Sequence, residues 1–249
     1  MQYRPYLLIL CQWLLSAALN AQENQPSGAD SWALGRDGPF FFWQDSSSAQ
    51  TRPTEALQQY LDALQAKWGD QKPDKALARR LFFKVSGDYL KNYAQFTSLL
   101  EVLDQQSFDC VSGSALLGLA YAYWGFAPEI HETATHVYIL LHFCEQDRVL
   151  VESTAGQMGF IDAEADIDRA RAVFQGEVLR IGRQSFRFDR QVDLRQLAGL
   201  QYYNLGVATY NQGQLLYAQR YLQMALELYP EDRIQALQAL CQARLAFQP

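Results

Sequence analysis

The sequence predicts an α+β fold, and three features carry that expectation. Apolar residues recur at spacings of three and four near both ends of the 249-residue chain, the pattern of amphipathic helices. Nineteen consecutive uncharged residues, Cys110 to Pro128, fill the middle. Directly after them come runs rich in β-branched, aliphatic and aromatic residues, broken by a short polar turn, the pattern of a strand hairpin.

The first residues, "MQYRPYLLILCQWLLSAALNAQ", carry a single charge at Arg4, then an apolar run from Tyr6 to Leu15, then small residues ending at Ala21. This is the pattern of a secretory signal peptide over residues 1–21, cleaved after Ala21, and it implies a secreted or periplasmic location. Cys11 lies inside the apolar run, without the small residues before it that a lipid anchor needs. Removing the signal takes away one cation, so the remainder is one unit more acidic than the −6 of the whole chain. That balance argues against a nucleic-acid partner. Residues 22–53 are rich in Ser, Gln and Gly around an aromatic knot, "PFFFW" at Pro39 to Trp43, and read as a poorly ordered leader with one docking patch.

Thr54 to Trp68 places Leu57, Tyr60, Leu61 and Leu64 on one helical face, with Thr54 as cap and Pro53 before it. A second helical segment is expected from about Lys75 to Leu103, with a break near Gly87. Asp109 is a good N-cap residue, so a helix should open at Cys110 and run to about Trp124, where Gly125 stops it. Such a helix is too short to cross the roughly 30 Å hydrocarbon layer at about 1.5 Å per residue. Its small residues, Gly113, Ala115, Gly118, Ala120 and Ala122, instead describe a helix packed on most sides inside a globular core.

Strands are expected at Ala127 to Glu132, His136 to Cys144 and Arg148 to Thr154, the last two as a hairpin around "EQD". In the middle strand Val137, Ile139, Leu141 and Phe143 share one face, which reads as core. His136, Tyr138, Leu140 and His142 share the other, which carries the polar groups. A charged helix follows at about Ala163 to Phe174, then a stretch from Val178 to Leu197 whose alternation allows a short strand or a loop. From Ala198 the pattern turns helical to the end. Tyr202, Leu205, Gly206, Gly213, Ala218, Leu222, Ala225 and Pro230 fall on the signature positions of a tetratricopeptide repeat, which this segment resembles. Thr209 and Leu215 stand where that family usually has aromatics. A further helix from about Asp232 to Phe247 would cap it.

The remaining cysteines, Cys110, Cys144 and Cys241, are odd in number and show no disulfide framework, so at least one free thiol is expected. No CxxC or Cys/His cluster suggests a metal, and no cofactor is implied. His131, His136 and His142 are the imidazoles available for acid/base work. A thiol at a helix N-terminus feels the positive end of the helix dipole, which lowers its pKa and favours the nucleophilic thiolate. A nearby imidazole would serve as base, and a carboxylate on the far ring nitrogen would hold its tautomer.

A cysteine opening a small-residue helix, then "HVYILL", then "VLVEST" resembles the transglutaminase-like cysteine peptidase superfamily, whose core is papain-like with a small antiparallel sheet. The resemblance covers about residues 107–156. It implies Cys110 as nucleophile, His136 as base and Glu152 in the place of the orienting acid, usually Asp in that family. Because Glu is one methylene longer, the acid is expected either to back away from its strand or to play no catalytic part. Simple pairing around the turn also places a residue beyond Glu152 opposite His136, so a bulge or a shifted turn is required. His131 and His142 read as structural or exposed, and Gln105 or Gln106 as a candidate oxyanion donor.

The organisation expected is therefore a transglutaminase-like domain over residues 54–190, flanked by N-terminal helices, and a tetratricopeptide-like helical tail over 191–249. The function implied is an exported cysteine-nucleophile amidase, peptidase or acyltransferase acting on a peptide or protein. The alternative is a catalytically silent fold used as a protein-binding module, with the tail as partner site and no membrane span after signal removal.

Overall fold

A computed structural model describes residues 53–144 and 147–247. The expected signal peptide, the leader up to residue 52 with its Pro39–Trp43 knot, and the Glu145–Gln146 turn lie outside the described residues. The fold is α+β, as the sequence predicts. Helix α1 (Pro53–Trp68) begins at the proline itself, because the first helical position needs no N–H donor and proline presets the backbone for it. Leu57, Leu61 and Leu64 form its buried stripe. Helix α2 (Lys75–Tyr89) is capped by Asp74, whose side chain accepts from the Leu77 N–H at 2.7 Å.

The second segment breaks later than Gly87, which sits inside the last turn of α2. The chain leaves the helix at Leu90 and forms the short strand β1 (Asn92–Tyr93), then α3 (Leu99–Gln105) and β2 (Ser107–Phe108). Ser98 and Glu101 close a capping box at the start of α3. Strands β1 and β2 pair in parallel, Asn92 beside Ser107 and Tyr93 beside Phe108. Helix α4 (Cys110–Tyr123) follows and is buried from Val111 to Tyr121. Gly113 lets Ser153 approach it, since a Cβ at Gly113 would stand 2.8 Å from that side chain.

Strands β3 (Glu129–Thr133), β4 (Val137–Cys144), β5 (Asp147–Val151), β6 (Phe160–Ile161) and β9 (Asp189–Val192) make one antiparallel sheet in the order β6-β5-β4-β3-β9. Val137, Ile139 and Leu141 face the core with α4, as expected. The opposite face is not open: Tyr138, Leu140 and Leu150 are covered by Ile167 and Phe174 of α5 (Glu164–Gly176). The ambiguous stretch after it resolves into a β7 (Leu179–Ile181) and β8 (Gln184–Phe186) hairpin, and then β9, which adds to the sheet beside β3.

The C-terminal helices are α6 (Leu194–Asn211), α7 (Leu215–Leu228) and α8 (Asp232–Ala246). A Cβ at Gly206 would stand 2.9 Å from Leu222, and one at Gly199 would stand 2.6 Å from Tyr229, so α6 and α7 cross with little space between their backbones. Ala218, Leu222 and Ala225 have no exposure. This hairpin is also joined to the rest of the molecule. Gln201 of α6, itself buried, accepts from the Leu99 N–H at 2.7 Å. Glu132 of β3, 1% exposed, accepts from Tyr229 Oη at 2.6 Å and pairs with the buried guanidinium of Arg233. Breaking such a buried pair on one side costs about 3–5 kcal/mol.

The crossing of α6 and α7 supplies a direct check. Ala218→Glu would force an unpaired carboxylate into it, and we expect a loss of several kcal/mol, on the order of 3–5, read by chemical denaturation. A change no larger than that of a substitution at exposed Leu216 would show that the two helices do not pack this way.

Candidate active site

The site is built at one end of the sheet, where β4 begins and β5 ends, against the N-terminus of α4. Asp109 caps that helix: its Oδ1 accepts from the N–H groups of Val111 at 3.0 Å and Ser112 at 2.8 Å, and from Ser112 Oγ at 3.0 Å. Ser112 Oγ in turn accepts from the Asp109 N–H at 2.9 Å. This reciprocal box fixes the first turn, and Cys110 is its first residue. Cys110, Cys144 and Cys241 are all free thiols; Cys110 is half-buried, Cys144 exposed and Cys241 buried.

His136 stands just before β4 in a tight turn. Thr133 donates its backbone N–H to the His136 carbonyl at 2.8 Å, and its hydroxyl oxygen accepts from the His136 N–H at 3.2 Å. Glu152 stands just after β5, where its N–H donates to the Gly159 carbonyl at 2.8 Å. Position 159 must be glycine, since a Cβ there would fall 1.9 Å from the Glu152 carbonyl oxygen. The register Ile139 opposite Val151 places Glu152 diagonal to His136 rather than across from it. Diagonal neighbours lie about 7–8 Å apart and are reached by long side chains. The extra methylene of Glu lets the side chain span that diagonal: Oε1 stands 3.1 Å from His136 Nε2. The irregularity that the pairing requires is present between His142 and Cys144. The 3.1 Å contact is close but does not meet hydrogen-bond geometry at Nε2. Phe174 lies against the imidazole with ring centroids 4.4 Å apart.

Burial pushes the Glu152 carboxyl up, but the His136 ring and the hydroxyl and N–H of Thr154, at 2.6 and 2.8 Å, outweigh it, and the group titrates below its ordinary value. The thiol behaves in the opposite way from the expectation of a lowered pKa. Desolvation first, then the negative charges of Asp109 and Glu152, push Cys110 up to about 12, against the Val137 N–H and its own N–H, which favour thiolate. The helix N-terminus is present, but its capping carboxylate offsets it. With its pKa so raised the resting thiol is protonated, and among the described residues no hydrogen bond joins the sulfur to His136.

The other histidines lie elsewhere. His131 Nδ1 stands 3.1 Å from Asp189 and its ring stacks on Tyr138 at 5.0 Å; His142 Nε2 contacts Glu129 at 3.1 Å on the exposed part of β4. Gln106 is not an oxyanion donor, since its side-chain amide donates to the Asp88 carbonyl at 3.0 Å. It occupies the left-handed C-cap of α3. Residues that sequence reasoning missed are Tyr93, Gln95, Thr97 and Asn204. Thr97 Oγ1 meets Ser112 Oγ at 2.9 Å, and Asn204 Nδ2 donates to Asp109 Oδ2 at 3.3 Å. The distance between positions 93 and 110 was bridgeable only by knowing the parallel β1–β2 pairing. Among the described residues no group of three or more His, Cys, Asp or Glu side chains could hold a metal ion, and no helix is long and apolar enough to cross a membrane. Comparison of the chain with protein-family models, curated proteins and solved structures gives no match.

The lowered Glu152 pKa has a definite stability consequence. A carboxylate whose folded pKa is depressed stabilises the fold above its unfolded value, about 4.3, and that contribution disappears as pH falls through the folded value. At pH 7 Glu152→Gln should destabilise by about 1–3 kcal/mol, with the difference from wild type shrinking below about pH 4. Denaturation midpoints measured from pH 7 to pH 3 check this, and a difference independent of pH would show that the charge of Glu152 contributes nothing.

Proposed function

We propose that the chain is an exported cysteine-nucleophile acyl enzyme of transglutaminase-like type, hydrolysing an amide of a peptide or protein or passing its acyl group to an amine. The observation that carries this reading is the His136–Glu152 pair at 3.1 Å, held at the sheet end where the Val137 N–H faces the Cys110 sulfur. A carboxylate that binds Nε2 keeps a proton there and leaves Nδ1 as the basic nitrogen. The other face of the ring rests on Phe174, which limits how the imidazole turns.

Because the resting thiol is protonated, the chemistry on this reading is general-base catalysis rather than attack by a preformed thiolate. His136 Nδ1 takes the Cys110 proton as sulfur bonds to the carbonyl carbon. The tetrahedral adduct collapses by breaking the C–N bond, and the imidazolium returns its proton to the leaving amine. Water or a second amine then attacks the thioester, again through His136, and restores the thiol. Glu152 stabilises the imidazolium of both half-reactions. On the same reading residues 54–190 are the transglutaminase-like unit and the α6–α7 hairpin is a tetratricopeptide-like element docked on it.

A second reading, a catalytically silent binding module, is favoured by the thiol pushed up to about 12. Acylation by p-nitrophenyl acetate at pH 7.5, located by peptide mass spectrometry, separates the two, with exposed Cys144 as the internal reference. The enzyme reading predicts an acetyl adduct on Cys110 that forms faster than on Cys144. His136→Ala should slow it by about 10²–10⁴-fold, the worth of a general base, and leave Cys144 unchanged. Acylation of Cys144 alone, or a Cys110 rate indifferent to His136, would establish the binding module.

A further inference from the structure

The segment between α2 and α3 is folded back over the start of α4. Strand β1 pairs in parallel with β2, so Tyr93 stands beside Phe108, two residues before the cysteine, with their rings edge to face at 6.0 Å. The Ala94 N–H donates to the Phe108 carbonyl at 2.9 Å. Phe96 then takes a left-handed backbone, φ 64°, which costs an aromatic residue on the order of 1–3 kcal/mol. Thr97, buried, returns the chain by its hydroxyl contact with Ser112 Oγ at 2.9 Å. The strained turn is thus tied at both ends to the segment that presents Cys110. Its product is the position of one side chain: Tyr93 is 59% exposed, although its neighbours on the helix side are buried. Its phenol lies within the field of Cys110, Asp109 and Glu152, and the Gln95 side chain faces the phenol oxygen as a hydrogen-bond donor.

Resting on the acyl-enzyme reading above, we propose that Tyr93 is a catalytic residue whose hydroxyl, together with the Cys110 backbone N–H, binds the oxyanion of the tetrahedral adduct. As the C–S bond forms, the carbonyl π electrons move to oxygen, and that oxygen needs donors on the side away from His136. The Cys110 N–H is one of the helix-terminal donors left without an intrahelical acceptor. Asp109 Oδ1 takes the next two, those of Val111 and Ser112. Tyr93 supplies the second donor. When the C–N bond breaks the carbonyl reforms and both hydrogen bonds weaken, so the phenol loses and gains no proton over the cycle. Burial and the nearby carboxylates of Asp109 and Glu152 hold the phenol above its ordinary pKa, which keeps it a donor.

Two reagents at one sulfur test this. Iodoacetamide alkylates Cys110 by displacement at a saturated carbon and forms no oxyanion; p-nitrophenyl acetate acylates it through one. Tyr93→Phe keeps the ring packing on Phe108 and removes only the hydroxyl. The expected result is Cys110 acylation slowed by about 10²-fold, the scale of one lost oxyanion donor, with the alkylation rate and the melting temperature unchanged. Tyr93→His, which restores a donor, should recover part of the acylation. If acylation is unchanged in Tyr93→Phe, or falls in parallel with alkylation, Tyr93 is not the oxyanion donor although Cys110 remains the nucleophile. If wild-type Cys110 is alkylated but never acylated, the acyl-enzyme reading itself falls and this proposal with it.

Discussion

The carboxylate of Asp109 is the joint on which the molecule depends. It is 3% exposed, and a carboxylate so placed persists only when hydrogen bonds replace its lost water. Those bonds come from three directions. Val111 and Ser112 supply the first turn of α4, the Ser112 hydroxyl brings in the strained turn through its contact with Thr97 Oγ1, and Asn204 supplies the C-terminal hairpin. Burial still dominates and holds its pKa above the ordinary value. The same charge that organises the helix start also opposes ionisation of the neighbouring thiol. Stability of the cradle and acidity of Cys110 are therefore in competition, and the structure favours the cradle.

A second buried charge performs the matching task for the sheet. Glu132 is the register partner of Val137, whose N–H faces the sulfur, and its neighbour Thr133 holds the His136 backbone. Tyr229 and Arg233 fix that glutamate from the end of α7 and the start of α8, while Arg190 of β9 stands 3.7 Å away and pairs with Glu231 at 2.5 Å. The guanidinium of Arg233 lies over Tyr203 at 4.9 Å, so the cation is enclosed by rings as well as by its partner. The C-terminal helices thus reach both the Cys110 helix through Asn204 and the strand beside β4 through Tyr229 and Arg233. They are a wall of the site more than an appendage.

Local patterns carried most of the fold and placed Cys110, His136 and Glu152 at the element ends where the structure has them. The Asp109 cap, the small residues of α4 and the His136 strand are determined by neighbours within one or two turns, and the Gly206–Ala218–Leu222–Ala225 crossing by the spacing of small residues over one helical hairpin. What was not legible depends on distant pairings. Strand β9 is only Asp189–Val192, and its place beside β3 is set by the Asp189 contacts with His131, Tyr138 and Gln175, none of which leaves a local pattern. Covering of the outer face by α5 was hidden for the same reason, since Tyr138 and Leu140 read equally well as exposed until Ile167 and Phe174 are seen on them. The direction of the Cys110 shift was misjudged because the cap residue that starts the helix was weighed for its hydrogen bonds and not for its charge. The diagonal placement of Glu152 against His136 was not legible either, because it depends on the register set by the irregularity between His142 and Cys144.

The claim that one buried carboxylate ties the Cys110 helix, the strained turn and the C-terminal hairpin together is tested most directly by amide hydrogen exchange on Asp109→Asn. The amide keeps an acceptor for Val111 and Ser112 but sets a donor against the donating amide of Asn204. The account predicts that protection falls along α6 around Asn204 and in the turn at residues 94–97, as well as in the first turn of α4. Loss of protection confined to residues 110–113, with α6 and the turn as protected as in the wild type, would contradict it.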